Sequence, residues 1–226
     1  DHDYYSIQAK AGERISVELD CVRLCDKAYA ESEYDLLVRI LDENGKVLAS
    51  CDDSDLHVQD PILSIAASYS GKYFIHIRQQ LFKGGRWIFY RAHIGNFMRP
   101  VLAYPLGGQV GTTETIQLLG DGLGTTAQQI TWPNKTGDFN FYPGESDVKP
   151  PSHLPLRVCT FPNALENQIE QTHDAPVALN GIIASAGEED VFKVFMKKGV
   201  QYRLRVFARG NGSPIDSSVW VRHVDK

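Results

Sequence analysis

Residues 3–19, DYYSIQAKAGERISVEL, read as two strands folded back on a tight turn. Tyr5, Ile7 and Ala9 alternate with Tyr4, Ser6 and Gln8, and Ile15, Val17 and Leu19 alternate with Ser16 and Glu18. A period of two marks a strand with one face on a core and the other toward water. Lys10 to Gly12 supplies the turn between the runs. Residues 188–208, EEDVFKVFMKKGVQYRLRVFA, repeat the pattern: Asp3 answers to Asp190, Tyr5 to Phe192, Ile7 to Val194, Gly12 to Gly199, Val17 to Leu204 and Leu19 to Val206. Further on, Tyr34 to Ile40 answers to Ile215 to Val221. A repeat of this length marks tandem domains rather than a solenoid.

Outward from that stretch the same period continues. Residues 34–53, YDLLVRILDENGKVLASCDD, predict strand, turn and strand, because Asn44-Gly45 tolerates the positive φ of a primed hairpin turn. PILSIAA from Pro61, GKYFIHIR from Gly71 and RWIFYRAHI from Arg86 add further strands. The count is about seven short strands over residues 3–95 with no amphipathic helix, which predicts an antiparallel sandwich. The fold class expected for the chain is therefore all-β, with tandem antiparallel β-sandwiches, jelly-roll-like or immunoglobulin-like, and little helix.

Composition narrows the function classes. The chain has 226 residues, 42% of them hydrophobic, which is enough to bury real cores. A formal net charge of -5 and a pI near 5.8 leave no basic stripe over the whole chain, arguing against nucleic acid and anionic membrane partners. No run approaches the roughly 18 apolar residues of a membrane span, so direct insertion is not expected. Gly-x-Ser-x-Gly, His-Glu-x-x-His and Gly-x-x-x-x-Gly-Lys are all absent, and the stretch GDGLG, residues 120–124, reads as a turn. The histidines are scattered, with His76 and His93 in predicted strands and His57, His153 and His173 in predicted loops. Without a paired nucleophile or ligand cluster the expectation is a structural role for each, and no enzyme.

The cysteines, Cys21, Cys25, Cys51 and Cys159, are too few for a disulfide scaffold and too irregular for a zinc ribbon. Two readings stand side by side: one bridge from Cys21 or Cys25 to Cys51 in an oxidising compartment, or small buried thiols in a sheet core. The aromatic residues carry the functional lead. Tyr4, Trp87, Phe89, Tyr90 and Trp220 are scattered, while Trp132, Phe139, Phe141 and Tyr142 share one stretch, WPNKTGDFNFYPGE, expected to be a ligand-binding loop. The competing reading is that Phe139 and Phe141 alternate as in a strand and face a core.

Taken in order, Asp1, Asp3, Tyr5, the turn glycine Gly12, Asp35, the hairpin glycine Gly45, the pair Asp52 and Asp53, and the strand opening at Gly71 and Tyr73 resemble the bacterial pre-peptidase C-terminal domain. The resemblance covers residues 1–97 and returns over 166–226, where it is incomplete. Some members of that family bind calcium, and Asp1, Asp3, Asp35, Asp52 and Asp53, with Asp55 nearby, supply the oxygen ligands calcium takes. Asp in turns also bonds backbone amides two residues on, so Asp3 and Asp52 or Asp53 also read as turn formers. Between the copies, RPVLAYPLGGQVGTTETIQLLGDGLG has the punctuation of immunoglobulin-like domains of the plexin and transcription-factor type, and residues 98–165 resemble one. The three-part order resembles large exported proteins of planctomycete-like bacteria.

That resemblance implies non-catalytic modules of a larger exported protein, extracellular, at the cell surface or periplasmic, that space or present domains of the same chain and bind a polysaccharide or protein surface. Two alternatives accompany it: an accessory region of a secreted peptidase, and a structural subunit of a surface layer or filament completed by strand exchange. Copy 1 begins at its Asp-x-Asp motif and copy 2 stops near the point equivalent to the Asp42 to Gly45 turn, so an excerpt of a longer chain is expected. The other account of those ends has residues 177–184 fill a copy-1 sandwich.

Overall fold

The computed structural model describes residues 2–25, 34–144, 148–213 and 215–223. Two compact units divide the chain, one from residues 1–101, 119–125 and 142–153, the other from 102–118, 126–141 and 154–226. These limits cut across the boundaries expected from sequence at residues 97 and 165. Residues 119–125, which hold the GDGLG turn, and residues 148–153 belong to the first unit.

Among the described residues the first unit holds seven strands and one short helix: β1 (His2–Ala9), β2 (Arg14–Asp20), α1 (Val22–Cys25), β3 (Leu36–Leu41), β4 (Val47–Cys51), β5 (Ile62–Ala66), β6 (Gly71–Gln79) and β7 (Arg91–Gly95). They form two antiparallel sheets, ordered β1-β6-β3-β4 and β5-β2-β7. Ile15, Val17 and Leu19 from one sheet meet Leu36, Val38, Ile40, Tyr73, Ile75 and Ile77 from the other in a single core. Burying each aliphatic side chain of this kind contributes about 1.5–3 kcal/mol. Gly12 adopts φ 79, which lets the chain reverse between β1 and β2, and Gly12 N donates to Ala67 O at 2.7 Å.

Two local expectations are corrected. The β3–β4 connection is not a two-residue primed turn: only Gly45 takes a positive φ, the ladder shifts register between Ile40 and Leu41, and Asp42 Oδ1 accepts from Asn44 N and Lys46 N. The carboxylate thus closes a longer loop. The Cys21 or Cys25 to Cys51 bridge is not formed; all four cysteines are free. Cys51 Sγ faces Asp53 O at 3.0 Å and Cys25 Sγ faces Phe89 O at 3.8 Å, so the sulfurs are turned to different neighbours. Burial pushes the Cys21 thiol up to about 12, as an inert core thiol requires.

The second unit begins with β8 (Leu102–Tyr104), β9 (Gly107–Gln109), β10 (Thr113–Leu119), β11 (Thr126–Thr131), β12 (Gly137–Phe141) and β13 (Leu154–Cys159), in sheets ordered β11-β10-β8 and β12-β13-β9. Trp132, at the end of β11, lies on Gly108 of β9, where a Cβ would meet the indole Nε1 at 1.9 Å. Glycine is required there by the ring, not by the backbone angle. Beyond β13 come short strands: β14 (Asn163–Leu165), β15 (Thr172–Asp174), β16 (Ala178–Asn180) and β17 (Lys193–Phe195), paired β14 with β16 and β15 with β17, both parallel.

Candidate functional site

The carboxylates expected to hold calcium are dispersed. Asp1 lies outside the described residues. Asp3 pairs with Ile77, Ile77 with Val38 and Val38 with Cys51, so three strand spacings, about 14 Å, separate it from the Asp52 edge of the sheet. Asp3 instead accepts from the Tyr90 hydroxyl at 2.6 Å; burial and then this bond push that phenol up. Asp35, Asp52 and Asp53 do share one corner. Burial raises the Asp35 carboxyl, Asp53 and Asp52 raise it further, and its Oδ1 is buried without a hydrogen-bond partner. Asp52 accepts from Asp53 N at 3.0 Å and Gln80 Nε2 at 2.9 Å.

Among the described residues, the acidic groups that converge lie in the second unit. Single ligand atoms of Glu166, Glu188 and Asp190 fall within 4.8 Å of one another. Glu188 Oε2 accepts from Ala184 N, Ser185 N and Ser185 Oγ at 2.8–3.0 Å, and Glu166 Oε2 accepts from Ile182 N at 3.1 Å. Burial, then Glu166 and Glu188, raise the Asp190 carboxyl. Asp190 is the repeat partner of Asp3; its two companions stand at the ends of the segment leading into copy 2, a spacing no sequence motif marks. Tyr104, Leu165, Glu166 and Asn167 line a shallow depression beside the group.

The aromatic stretch is core, which corrects the binding-loop expectation. Trp132 is 1% exposed and Phe141 7%, with half-buried Phe139 edge-on to Trp132 at 6.1 Å. Phe141 lies on β12, paired with β13, so its period-two side chain turns inward. Tyr142 alone is exposed, against His153 at 5.9 Å. Of the scattered aromatics named from the sequence, Tyr4, Trp87, Phe89 and Trp220 are exposed.

A buried charge cluster was not legible in the sequence. Ser16 and Glu18 occupy the face of β2 opposite the core, where alternation predicts water, yet both are fully buried. Segments 97–101, 119–125 and 148–153 cover that face: Ser16 Oγ donates to Phe97 O at 2.8 Å, and a Cβ on Gly122 would meet Ile65 N at 2.4 Å. Glu18 Oε2 stands 2.8 Å from Arg99 Nε, an ion pair out of line for a hydrogen bond. Arg23 reaches Glu18 Oε1 at 3.2 Å and Asp60 Oδ2 at 2.8 Å and also pairs with Asp20. Asp60 Oδ1 accepts from Cys21 N and Val22 N and so caps α1. Burial opposes the Glu18 charge, but the His57 hydrogen bond, Arg99 and Ser152 outweigh it and hold the carboxyl at about 2. Burial lowers His57, and Arg23 and Arg99 add to the effect against the Glu18 bond.

Ser152, His57 and Glu18 have the composition of an acyl-transfer triad without its geometry. Such a triad engages the two ring nitrogens separately. Here Ser152 Oγ at 2.6 Å and Glu18 Oε1 at 3.5 Å both face His57 Nε2, and Arg99 donates to Ser152 Oγ at 2.7 Å. The cluster acts as a clamp that ties Arg99 and Ser152 to β2.

Residues 1–79 match the bacterial pre-peptidase C-terminal domain. The pre-peptidase C-terminal match runs from β1 to the end of β6 and so includes both edges of the four-stranded sheet. No curated protein matches the chain. Among solved structures, Aeromonas hydrophila PliG, a periplasmic lysozyme inhibitor of g-type lysozyme, is 18% identical over 42% of this chain and 71% of that one, with a TM-score of 0.27.

Proposed function

We propose that the chain is a set of non-catalytic β-sandwich modules of a larger exported bacterial protein, spacing or presenting other domains and binding a polysaccharide or protein surface. The observation that carries the reading is the match of residues 1–79 to the pre-peptidase C-terminal domain. The exposed aromatics outside both cores, Tyr4 at 60% and Trp87 at 65%, support a binding role. No helix among the described residues is long and apolar enough to cross a membrane. Calcium belongs to the same reading, held by the Asp35, Asp52 and Asp53 corner or by Glu166, Glu188 and Asp190, since hard oxygen ligands suit it.

The family's description also favours a second reading, an accessory region of a secreted peptidase. One experiment addresses both: fractionation of source cells with an antibody to residues 1–79, followed by peptide mapping of the captured polypeptide. Recovery from medium, surface or periplasm supports export, and a protease domain in the mapped peptides selects the second reading. Recovery from cytoplasm alone overturns both.

A further inference from the structure

The outward face of the β1-β6-β3-β4 sheet buries Leu37, Leu41 and His76 but leaves His2 and Tyr4 exposed. In register across it, Tyr4 lies opposite His76 and His76 opposite Arg39, while His2 lies opposite Arg78. Tyr4 stacks on His76 at 4.6 Å and 12°, His76 being buried, and His2 lies edge to edge with His76, parallel within 3° at 5.0 Å. Phe82 lies tilted beside His2 at 5.8 Å, with the Arg78 guanidinium 4.1 Å above its ring. Tyr4 and Phe82 are 60% and 66% exposed and present open ring surface.

The charge of this face opposes that of the chain. The net charge is -5, yet the outward positions of β1, β6 and β3 carry Lys72, Arg78 and Arg39 with no Asp or Glu among them. No ion pair joins any of the three to a carboxylate among the described residues. Arg78 is held by Gln79 O at 2.9 Å and Gln80 O at 2.7 Å, while the Arg39 and Lys72 side chains have no carboxylate or carbonyl partner among the described residues. A metal ion does not suit the histidine pair. The 2.8 Å between His2 Nδ1 and His76 Nε2 is a hydrogen-bond distance, and Arg39 and Arg78 repel a cation there.

The exposed Tyr4 and Phe82 rings, beside guanidinium and ammonium groups without an ion pair among the described residues, match a polymer with flat apolar faces and regularly spaced carboxylates. Aromatic faces pack on the C–H face of a pyranose, and a guanidinium fork takes a carboxylate by two parallel bonds. We propose that this sheet face binds a polyuronate, an acidic polysaccharide carrying a carboxylate on each sugar. The proposal deepens the non-catalytic binding reading above and rests on it.

The test measures binding of the full chain to polygalacturonate, to its fully methyl-esterified form and to poly-L-glutamate, with neutral dextran and cellulose alongside. The variants are Arg39→Gln and Tyr4→Ala, each first checked for an unchanged melting temperature; Lys72→Gln replaces either if it fails. The expected result is binding to polygalacturonate alone, weakened by salt, with Arg39→Gln lowering affinity about tenfold and Tyr4→Ala lowering it several-fold. Equal binding of the methyl ester, or variants that bind as the parent does, overturns the proposal. Equal, variant-sensitive binding of poly-L-glutamate replaces it with an acidic protein surface. Binding of a neutral polymer alone refutes this face but leaves the general function intact, and binding of none of the polymers counts against polysaccharide altogether.

Discussion

Replacing Glu18 by Gln removes one charge from a site with no water to take its place. Glu18 and Arg99 are both fully buried and 2.8 Å apart, so the variant leaves Arg99 with a buried charge and only hydrogen-bonding neighbours. Breaking one side of such a pair costs about 3–5 kcal/mol. A second route gives a similar figure. The carboxyl falls from its ordinary 4.5 to about 2 on folding, and that difference is worth about 3 kcal/mol at neutral pH. The sign follows from proton uptake: between these values the unfolded chain binds the proton and the folded chain does not, so stability is lost as pH falls from 4.5 through 2. Urea unfolding followed by far-ultraviolet circular dichroism should therefore show Glu18→Gln less stable by about 3 kcal/mol at pH 7, with the gap closing toward zero near pH 2. His57 adds an earlier step in the parent. Its folded value lies below the ordinary 6.5, so acidification below 6.5 already favours the unfolded state. A deficit under about 1 kcal/mol at pH 7, or one that does not change with pH, would show that Ser152, Pro100 O and the Asp20 charge alone satisfy Arg99 and would refute the reasoning.

Three further outcomes test the packing and the acidic groups. Gly108→Ala should cost about 2–3 kcal/mol, because the indole of Trp132 must move from a Cβ at 1.9 Å, and Trp132 fluorescence should shift with it; a melting temperature within about 1 °C of the parent would be the contrary result. Trp132→Phe should change stability by only about 1 kcal/mol, since it removes a buried Nε1 that has no acceptor while leaving a modest void, whereas Trp132→Ala should cost about 3–5 kcal/mol. Calcium at a hundred times its dissociation constant should stabilise the chain by about 2.7 kcal/mol, and chelation should reverse the rise in melting temperature. Loss of that rise in Asp53→Asn locates the ion in the first unit and loss in Glu188→Gln in the second; no rise in the parent rules calcium out.

What was legible in the sequence is what local chemistry decides. The alternation of Ile15, Val17 and Leu19 marked the core face of β2 because a strand's period depends on nothing beyond itself. The same alternation placed Glu18 in water, since period two says which way a side chain points and not what covers it. Its cover comes from segments 97–101 and 148–153, far away in sequence, and no spacing in β2 encodes their arrival. The aromatic stretch shows the converse: composition suggested a binding loop, while the alternation of Phe139 and Phe141 carried the correct, inward reading.

The two copies of the opening stretch separate these levels within one chain. Gly12 and Gly199 both take φ 79, and the turn bond from Glu13 N to Lys10 O in copy 1 recurs as Val200 N to Lys197 O in copy 2. A turn closed by its own residues survives repetition. The strands do not: β1 spans His2–Ala9 against β6 and β2 is flanked by β5 and β7, whereas residues 190–206 hold only Lys193–Phe195 as strand, paired with Thr172–Asp174. Leu204 and Val206, equivalents of the buried Val17 and Leu19 of β2, are accordingly exposed by 47–48%. A hydrophobic period is thus a statement about a partner as much as about a segment. Backbone groups of an extended chain need a neighbouring strand before alternation becomes burial.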